Sequence, residues 1–253
     1  MASSPTETRY FDSFDGERMA YREMGTGRPV VLIHGYFSDA DTNWIKFGHA
    51  AAIAARGFRV IMPDLRGHGE SARPHDPAAY PPDALTKDGH ALVAHLGLTD
   101  YDLGGYSLGA RTTARMLATG AGPRRIIFSG MGLDGITDVH RRTDYFRHVL
   151  TNLGGHERRS PAFMAEAFLK TTGGDPQALL GVLEAFVDTP TDALAGFGQP
   201  ALVVMGADDD EVGSGTELAQ ALPDARFVEI PGNHMSAVTK PELGRAIADF
   251  VAG

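Results

Sequence analysis

The residues Gly105-Tyr106-Ser107-Leu108-Gly109 form a Gly-x-Ser-x-Gly pattern between an apolar-leaning run and a helix-like stretch at 110–119. A serine projected from a sharp strand-to-helix turn stands where a nucleophile is needed. Such a turn puts Ser107 in strained backbone at positive φ, at a cost of about 1–3 kcal/mol. Neighbours without a Cβ let strand and helix come close enough to hold it. The helix N-terminus behind Ser107 offers free N–H groups and partial positive charge to a developing oxyanion. A serine hydroxyl is a weak nucleophile at neutral pH. It needs a base within hydrogen-bond reach, and the base needs an orienting carboxylate. Reacting groups in α/β sheets gather beyond the carboxyl ends of the strands, so the partners are sought there. Gly206-Ala207-Asp208-Asp209-Asp210-Glu211 follows an apolar run ending at Met205, and Pro231-Gly232-Asn233-His234 follows one ending at Ile230. Three successive aspartates do not all point one way, so on spacing alone the acid is Asp208, Asp209 or Asp210. Adjacent carboxylates are not spaced as a metal loop is, and no metal is expected.

The elements that must position these groups can be read from periodicity. Residues 9–14 and 18–23 read as two strands joined at Asp15-Gly16. Continuous apolar runs at 29–34, 58–62, 125–129, 201–205 and 226–230, with the run entering Gly105, read as strands buried on both faces. Helical patterns at 43–56, 82–96, 110–119, 216–222 and 242–251 alternate with them. The expected fold class is therefore α/β, a mostly parallel central sheet of about eight strands flanked by helices. From 135 to 196 the alternation stops, and helical patterns at 143–153, 161–171 and 176–187 take over, separated by Gly154-Gly155 and Gly173-Gly174. This reads as a helical insertion, dividing the chain into a core at 1–134, the insertion at 135–196 and a second core part at 197–253. Its Tyr145, Phe146, Phe163, Met164, Phe168 and Phe186 sit at helical spacing and serve chiefly as its own core. Those facing down, Phe146 and Phe168, would join Trp44, Tyr106 and Met131 in an apolar substrate site.

The 253 residues are 43% apolar and 22% charged, a globular composition. There is no cysteine, which excludes a disulfide, a thiolate nucleophile and a Cys-based metal site. A formal net charge of −9 argues against a nucleic-acid partner. Residues 1–10 are polar, without the pattern of a secretory leader. No run approaches the ~18 apolar residues of a membrane span. The expectation is a cytoplasmic monomer or homodimer with a small ester-like substrate, no membrane partner and no cofactor.

The sequence resembles the α/β-hydrolase fold enzymes over nearly its whole length. The resemblance rests on His34-Gly35 after a buried strand, on Asp64-Leu65-Arg66-Gly67-His68-Gly69-Glu70-Ser71, on the serine pattern, and on Gly206-x-x-Asp209 and Gly232-x-His234. These five pieces stand in the family's order, each past a strand-like run. The resemblance implies Ser107 as nucleophile, Asp209 as acid and His234 as base. It implies an oxyanion hole from the N–H groups of Leu108 and Tyr36, a loop at His68 that braces the active-site face, and a loop-anchoring His34. It also implies that 135–196 is the family's cap. The implied activity is carboxylic-ester hydrolysis through an acyl-enzyme. Relatives with the same triad cleave C–C bonds, lactones or amides, or act as perhydrolases, and a small-molecule receptor on this scaffold is the rival from another class. Serine at 107 disfavours the branches that use aspartate as nucleophile. Tyr106 stands where many relatives carry histidine.

Overall fold

The computed structural model describes residues 6–138 and 140–253. Part of the N-terminal reading (residues 1–5) and one position of the expected insertion (Val139) lie outside the described residues. Strands β1 (Thr8–Asp12), β2 (Arg18–Met24), β3 (Arg28–Ile33), β4 (Phe58–Pro63), β5 (Asp102–Tyr106), β6 (Ile126–Ser129), β7 (Ala201–Gly206) and β8 (Ala225–Ile230) form one sheet in the order β1-β2-β4-β3-β5-β6-β7-β8. The pairs β1–β2 and β2–β4 are antiparallel, and every pairing from β4 through β3 to β8 is parallel. The nucleophile strand β5 lies in the interior of the sheet, buried at every position.

The continuous apolar strands are explained by helices on both faces. Val31, Ile33, Ile61 and Leu103 point to one face, against α2 (Ala84–His95) and α3 (Leu108–Ala118). Val30, Leu32, Val60 and Met62 point to the other, against α1 (His49–Ala54) and α10 (Pro241–Ala252). Each fully buried aliphatic side chain contributes about 1.5–3 kcal/mol, so these two layers hold the sheet that carries the site. Between β6 and β7 the described chain contains α4 (Leu133–Thr137), α5 (His140–Thr151), α6 (Pro161–Thr171), α7 (Pro176–Glu184) and α8 (Thr191–Leu194), and no strand. Two of these starts are written locally. Ser160 and Asp175 accept from the first-turn N–H groups of α6 and α7, each with proline at the next position, where no N–H is needed. The ninth helix, α9 (Gly215–Ala221), packs beside β7 and β8. No helix among the described residues is long and apolar enough to cross a membrane.

The structure corrects the single helix expected at 43–56. A π-helical turn, Asp41–Ile45, comes first, and α1 starts only at His49. Gly48 lies between them at φ +80°, a left-handed conformation that stops one helix before the next begins. The short helices α4 and α8 were not visible as periodic patterns because four or five residues make little more than one turn.

Asp102, at the start of β5, is fully buried. Arg28 donates to its Oδ1 at 2.8 Å, while its Oδ2 is enclosed without a partner among the described residues. Burial raises its pKa to about 6 from an ordinary 3.8, with Arg28 and nearby arginines opposing the shift. An acid with a raised folded-state pKa binds its proton more tightly when folded. Its ionisation therefore lowers stability as pH climbs from about 4 to about 6. Asp102→Asn removes that dependence. Urea midpoints should shift in favour of the variant, relative to the parent, across this interval and level off above it. A pH-independent difference between the two proteins would contradict the assignment.

Candidate active site

Ser107 sits between β5 and α3 at φ +53° and ψ −113°. Its N–H donates to the Ser129 carbonyl at 2.8 Å. The turn is possible because Gly105 and Gly109 face each other at the crossing of strand and helix. A Cβ on Gly105 would lie 2.3 Å from the Gly109 carbonyl carbon, and one on Gly109 would lie 2.0 Å from the Ile33 oxygen. Neither position has room for any side chain.

Two loops bring the partners to the hydroxyl. His234, after β8, is buried, with Nε2 at 2.9 Å from Ser107 Oγ and Nδ1 at 2.9 Å from Asp209 Oδ2. The carboxylate is an acceptor, so Nδ1 carries the proton and Nε2 is left to accept from the serine hydroxyl. Of the three aspartates, Asp209 is the one that turns inward, its side chain fully enclosed, while Asp208 and Asp210 are exposed. A backbone hydrogen bond from Asp209 N–H to Gly206 O at 3.1 Å closes the turn that aims it.

The N–H groups of Leu108 and Tyr36 donate no hydrogen bond among the described residues. Leu108 opens α3, so its N–H is one of the donors a helix start leaves free. Tyr36 lies in the loop after β3, which is held firmly. Asn43 Oδ1 accepts from Gly35 N–H at 3.0 Å, and the Tyr36 hydroxyl donates to the Leu179 carbonyl of α7 at 2.7 Å. Thr172, at the end of α6, donates to the carbonyl of Phe37, itself at φ +59°. Phe37 stacks on Tyr36 at 4.5 Å, and Phe146 meets the Tyr36 ring edge-on at 4.8 Å.

A cleft of about 490 Å³, its open mouth included, lies over the serine. Met131 and Phe146 line it with Tyr36, Ser107 and Leu108, as do Arg111, Arg142, Phe186, Glu211 and Val212. Trp44, Tyr106 and Phe168 do not. Trp44 is fully enclosed in the apolar layer with α1, because the π-helical turn directs it under the sheet. Phe168 is partly buried against the apolar cluster that joins one face of the sheet to the helices between β6 and β7. Tyr106 lies under the site: its hydroxyl donates to the main-chain carbonyl of His234 at 2.7 Å, and burial raises its pKa. The sequence reading missed Arg111 as a lining residue. The available signal was its spacing, four residues after Ser107 on one helix face.

The remaining histidines of the motifs are structural. His34 donates from Nδ1 to the Gly35 carbonyl at 2.7 Å and accepts at Nε2 from Leu65 N–H at 2.9 Å, and burial lowers its pKa. His68 donates from Nδ1 to the Arg66 carbonyl at 2.9 Å, and burial depresses it further. Both rings are thus held neutral between the Tyr36 loop and the loop after β4, and neither reaches Ser107 among the described contacts. Arg66 anchors the second loop through Asp15 and Asp88.

Comparison with known proteins places this geometry in a wide context. A family model described as alpha/beta hydrolase fold matches residues 28–127. A non-heme haloperoxidase of Rhodococcus erythropolis is 28% identical across 94% of this chain and 97% of its own length. A thermophilic esterase from Thermogutta terrifontis superposes with a TM-score of 0.75 at 26% identity, over 97% of this chain and 98% of that one. An enol-lactonase from Burkholderia xenovorans superposes at 0.74 over 97% and 100%, and its 24% identity speaks for the fold alone.

The Tyr106 contact is open to test. Tyr106→Phe leaves the buried His234 carbonyl without its phenol donor, which should cost about 1–3 kcal/mol of unfolding free energy in urea. A change below about 0.5 kcal/mol would mean that water or another donor replaces the hydroxyl there.

Proposed function

We propose that this chain, which matches the alpha/beta hydrolase fold family model over residues 28–127 and shares the fold of its members, is a cofactor-independent serine hydrolase acting on carboxylic esters. The observation that carries the reading is the unbroken line Ser107–His234–Asp209, two contacts of 2.9 Å each, ending in a cleft beside two unengaged N–H groups. Ser107 Oγ adds to the ester carbonyl while His234 Nε2 takes the hydroxyl proton. The carbonyl oxygen, now negative, is received by the N–H groups of Leu108 and Tyr36. Such donors are worth about 2.7–4 kcal/mol each in the transition state. The C–O bond to the alcohol then breaks, and His234 returns the proton to the leaving oxygen. Water repeats the sequence on the acyl-enzyme, giving the acid and restoring Ser107. Asp209 holds the imidazole in the needed tautomer and stabilises its cationic form. Residues 135–196 act in this reading as a cap, whose Phe146 and Phe186 supply the apolar wall of the acyl or alcohol site.

Perhydrolysis is a second reading, favoured by full-length relatives named as a non-heme haloperoxidase and a non-heme chloroperoxidase. It diverges only after acylation, when hydrogen peroxide attacks in place of water and a peracid leaves.

Short-chain 4-nitrophenyl esters test the first half-reaction. Ser107→Ala should lower kcat by roughly 10⁴–10⁶, and the parent should show an acyl mass increment at Ser107 that the variant lacks. Equal rates for both proteins would remove the reading. The acid is tested separately. Asp209→Asn should lower kcat by up to about 10⁴, whereas Asp208→Asn and Asp210→Asn, changed at exposed positions, should stay within about twofold. A large loss at Asp208 or Asp210 with Asp209→Asn near normal would reassign the role.

A further inference from the structure

We propose that the substrate carries a carboxylate and that Arg111 receives it. The proposal rests on the serine-hydrolase reading and names the class of ester that reading leaves open. Arg111 stands one turn into α3, its N–H donating to the Ser107 carbonyl at 3.1 Å. The two side chains therefore leave the same face of the helix, about 6 Å apart along its axis, and both line the cleft.

The environment of this guanidinium is unusual. Arg111 is only 8% exposed, and arginines are almost never buried without a counter-charge. Its hydrogen bonds go to two main-chain carbonyls, from Nη2 to Gly135 at 2.6 Å and to Asp138 at 3.2 Å. Its central carbon lies 5.5 Å from the centre of the Phe186 ring. Nε and Nη1 have no acceptor among the described residues. Burial pulls its pKa down to about 10, offset in part by the charges of Asp138 and Asp188. The other cation of the cleft is already engaged, since Arg142 pairs with Glu211 at 2.7 Å. Asp138, the remaining charged lining residue, turns its main-chain carbonyl to Arg111.

Holding two carbonyls requires N–H donors, not a positive charge. A neutral amide would serve without the cost of desolvating an ion. An incoming carboxylate accounts for the charge, because Nε and Nη1 still have N–H donors to give to an anion. Leu108, Met131, Phe146, Phe186 and Val212 form an apolar part of the lining, which suits a short apolar chain between the carboxylate and the reacting carbonyl. The substrate class is thus a monoester of a dicarboxylic acid, or an ester of a hydroxy acid.

Two substrate sets test this. Mono-4-nitrophenyl esters of succinic, glutaric and adipic acids are compared with length-matched neutral acyl esters. Butanoyl esters of glycolic and 3-hydroxypropanoic acids are compared with their methyl esters. In at least one set the parent enzyme should favour the carboxylated member by about tenfold or more in kcat/KM, the difference residing in KM. Arg111→Met should collapse that ratio to near one, and Arg111→Lys should retain part of it. A ratio is read because it cancels any general loss of folded enzyme. Arg111→Gln keeps donors for the two carbonyls and replaces the methionine variant should that fail to fold. No preference in either set, or a preference that survives loss of the charge, overturns the proposal. Turnover of neutral esters without preference removes this proposal alone. No turnover of any ester, in the parent as in Ser107→Ala, removes it together with the hydrolase reading.

Discussion

The structure depends on a serine held at φ +53° where a buried parallel strand becomes a helix. That backbone is disfavoured by about 1–3 kcal/mol, and the surroundings leave it no alternative. Gly105 and Gly109 meet without side chains, the second pressed against the Ile33 carbonyl of β3, and the Ser107 N–H is fixed by Ser129 of β6. Three neighbouring strands thus converge on one turn. The apolar layers on both faces hold those strands, so the geometry at the hydroxyl is secured by the whole core and not by local contacts. The same turn leaves the Leu108 N–H free and puts Arg111 on the face that Ser107 occupies.

The partners are secured differently. Asp209 and His234 lie on loops past β7 and β8, at the far side of β6 from the serine strand. Loops tolerate displacement more readily than strands, and the structure compensates with specific bonds. The Asp209 turn closes on Gly206, and the His234 main chain is tied back to the elbow by the Tyr106 hydroxyl. Tyr106 therefore couples the residue before the nucleophile to the imidazole loop from below, through a bond that a histidine or phenylalanine at that position does not reproduce in the same way.

The strand positions and the serine turn were legible because they are local. A continuous apolar run followed by turn residues identifies a strand end, and two glycines around a serine identify a close crossing. Among the three aspartates the sequence pattern alone left a choice, because which carboxylate turns inward is settled by a backbone turn at Gly206. The cleft lining was the least legible part. Trp44 is placed by a π-helical turn that ordinary helical periodicity does not anticipate, and Phe168 joins an apolar cluster instead of the cleft. Neither Arg111 nor Arg142 is singled out by the sequence pattern. Their positions follow from how α3 and the segment between β6 and β7 line one cleft, which is a tertiary fact. One signal was present and went unused: four residues after a nucleophile on the same helix is one turn, hence the same wall.

The loop that holds Tyr36 is fastened from above. Among the described residues, its hydrogen bonds to the segment between β6 and β7 come from Thr172, at the end of α6, and from the Tyr36 hydroxyl to Leu179 of α7, whereas the ring of Phe146 is the aromatic contact from α5. Evolutionary drift in selectivity is then channelled. Phe146 can be exchanged at the expense of ring packing, but wholesale replacement of α6 and α7 removes the anchors of a main-chain donor. Lineages descending from such a scaffold are expected to diversify along one wall and conserve the opposite one, even where neither wall bears a reacting group.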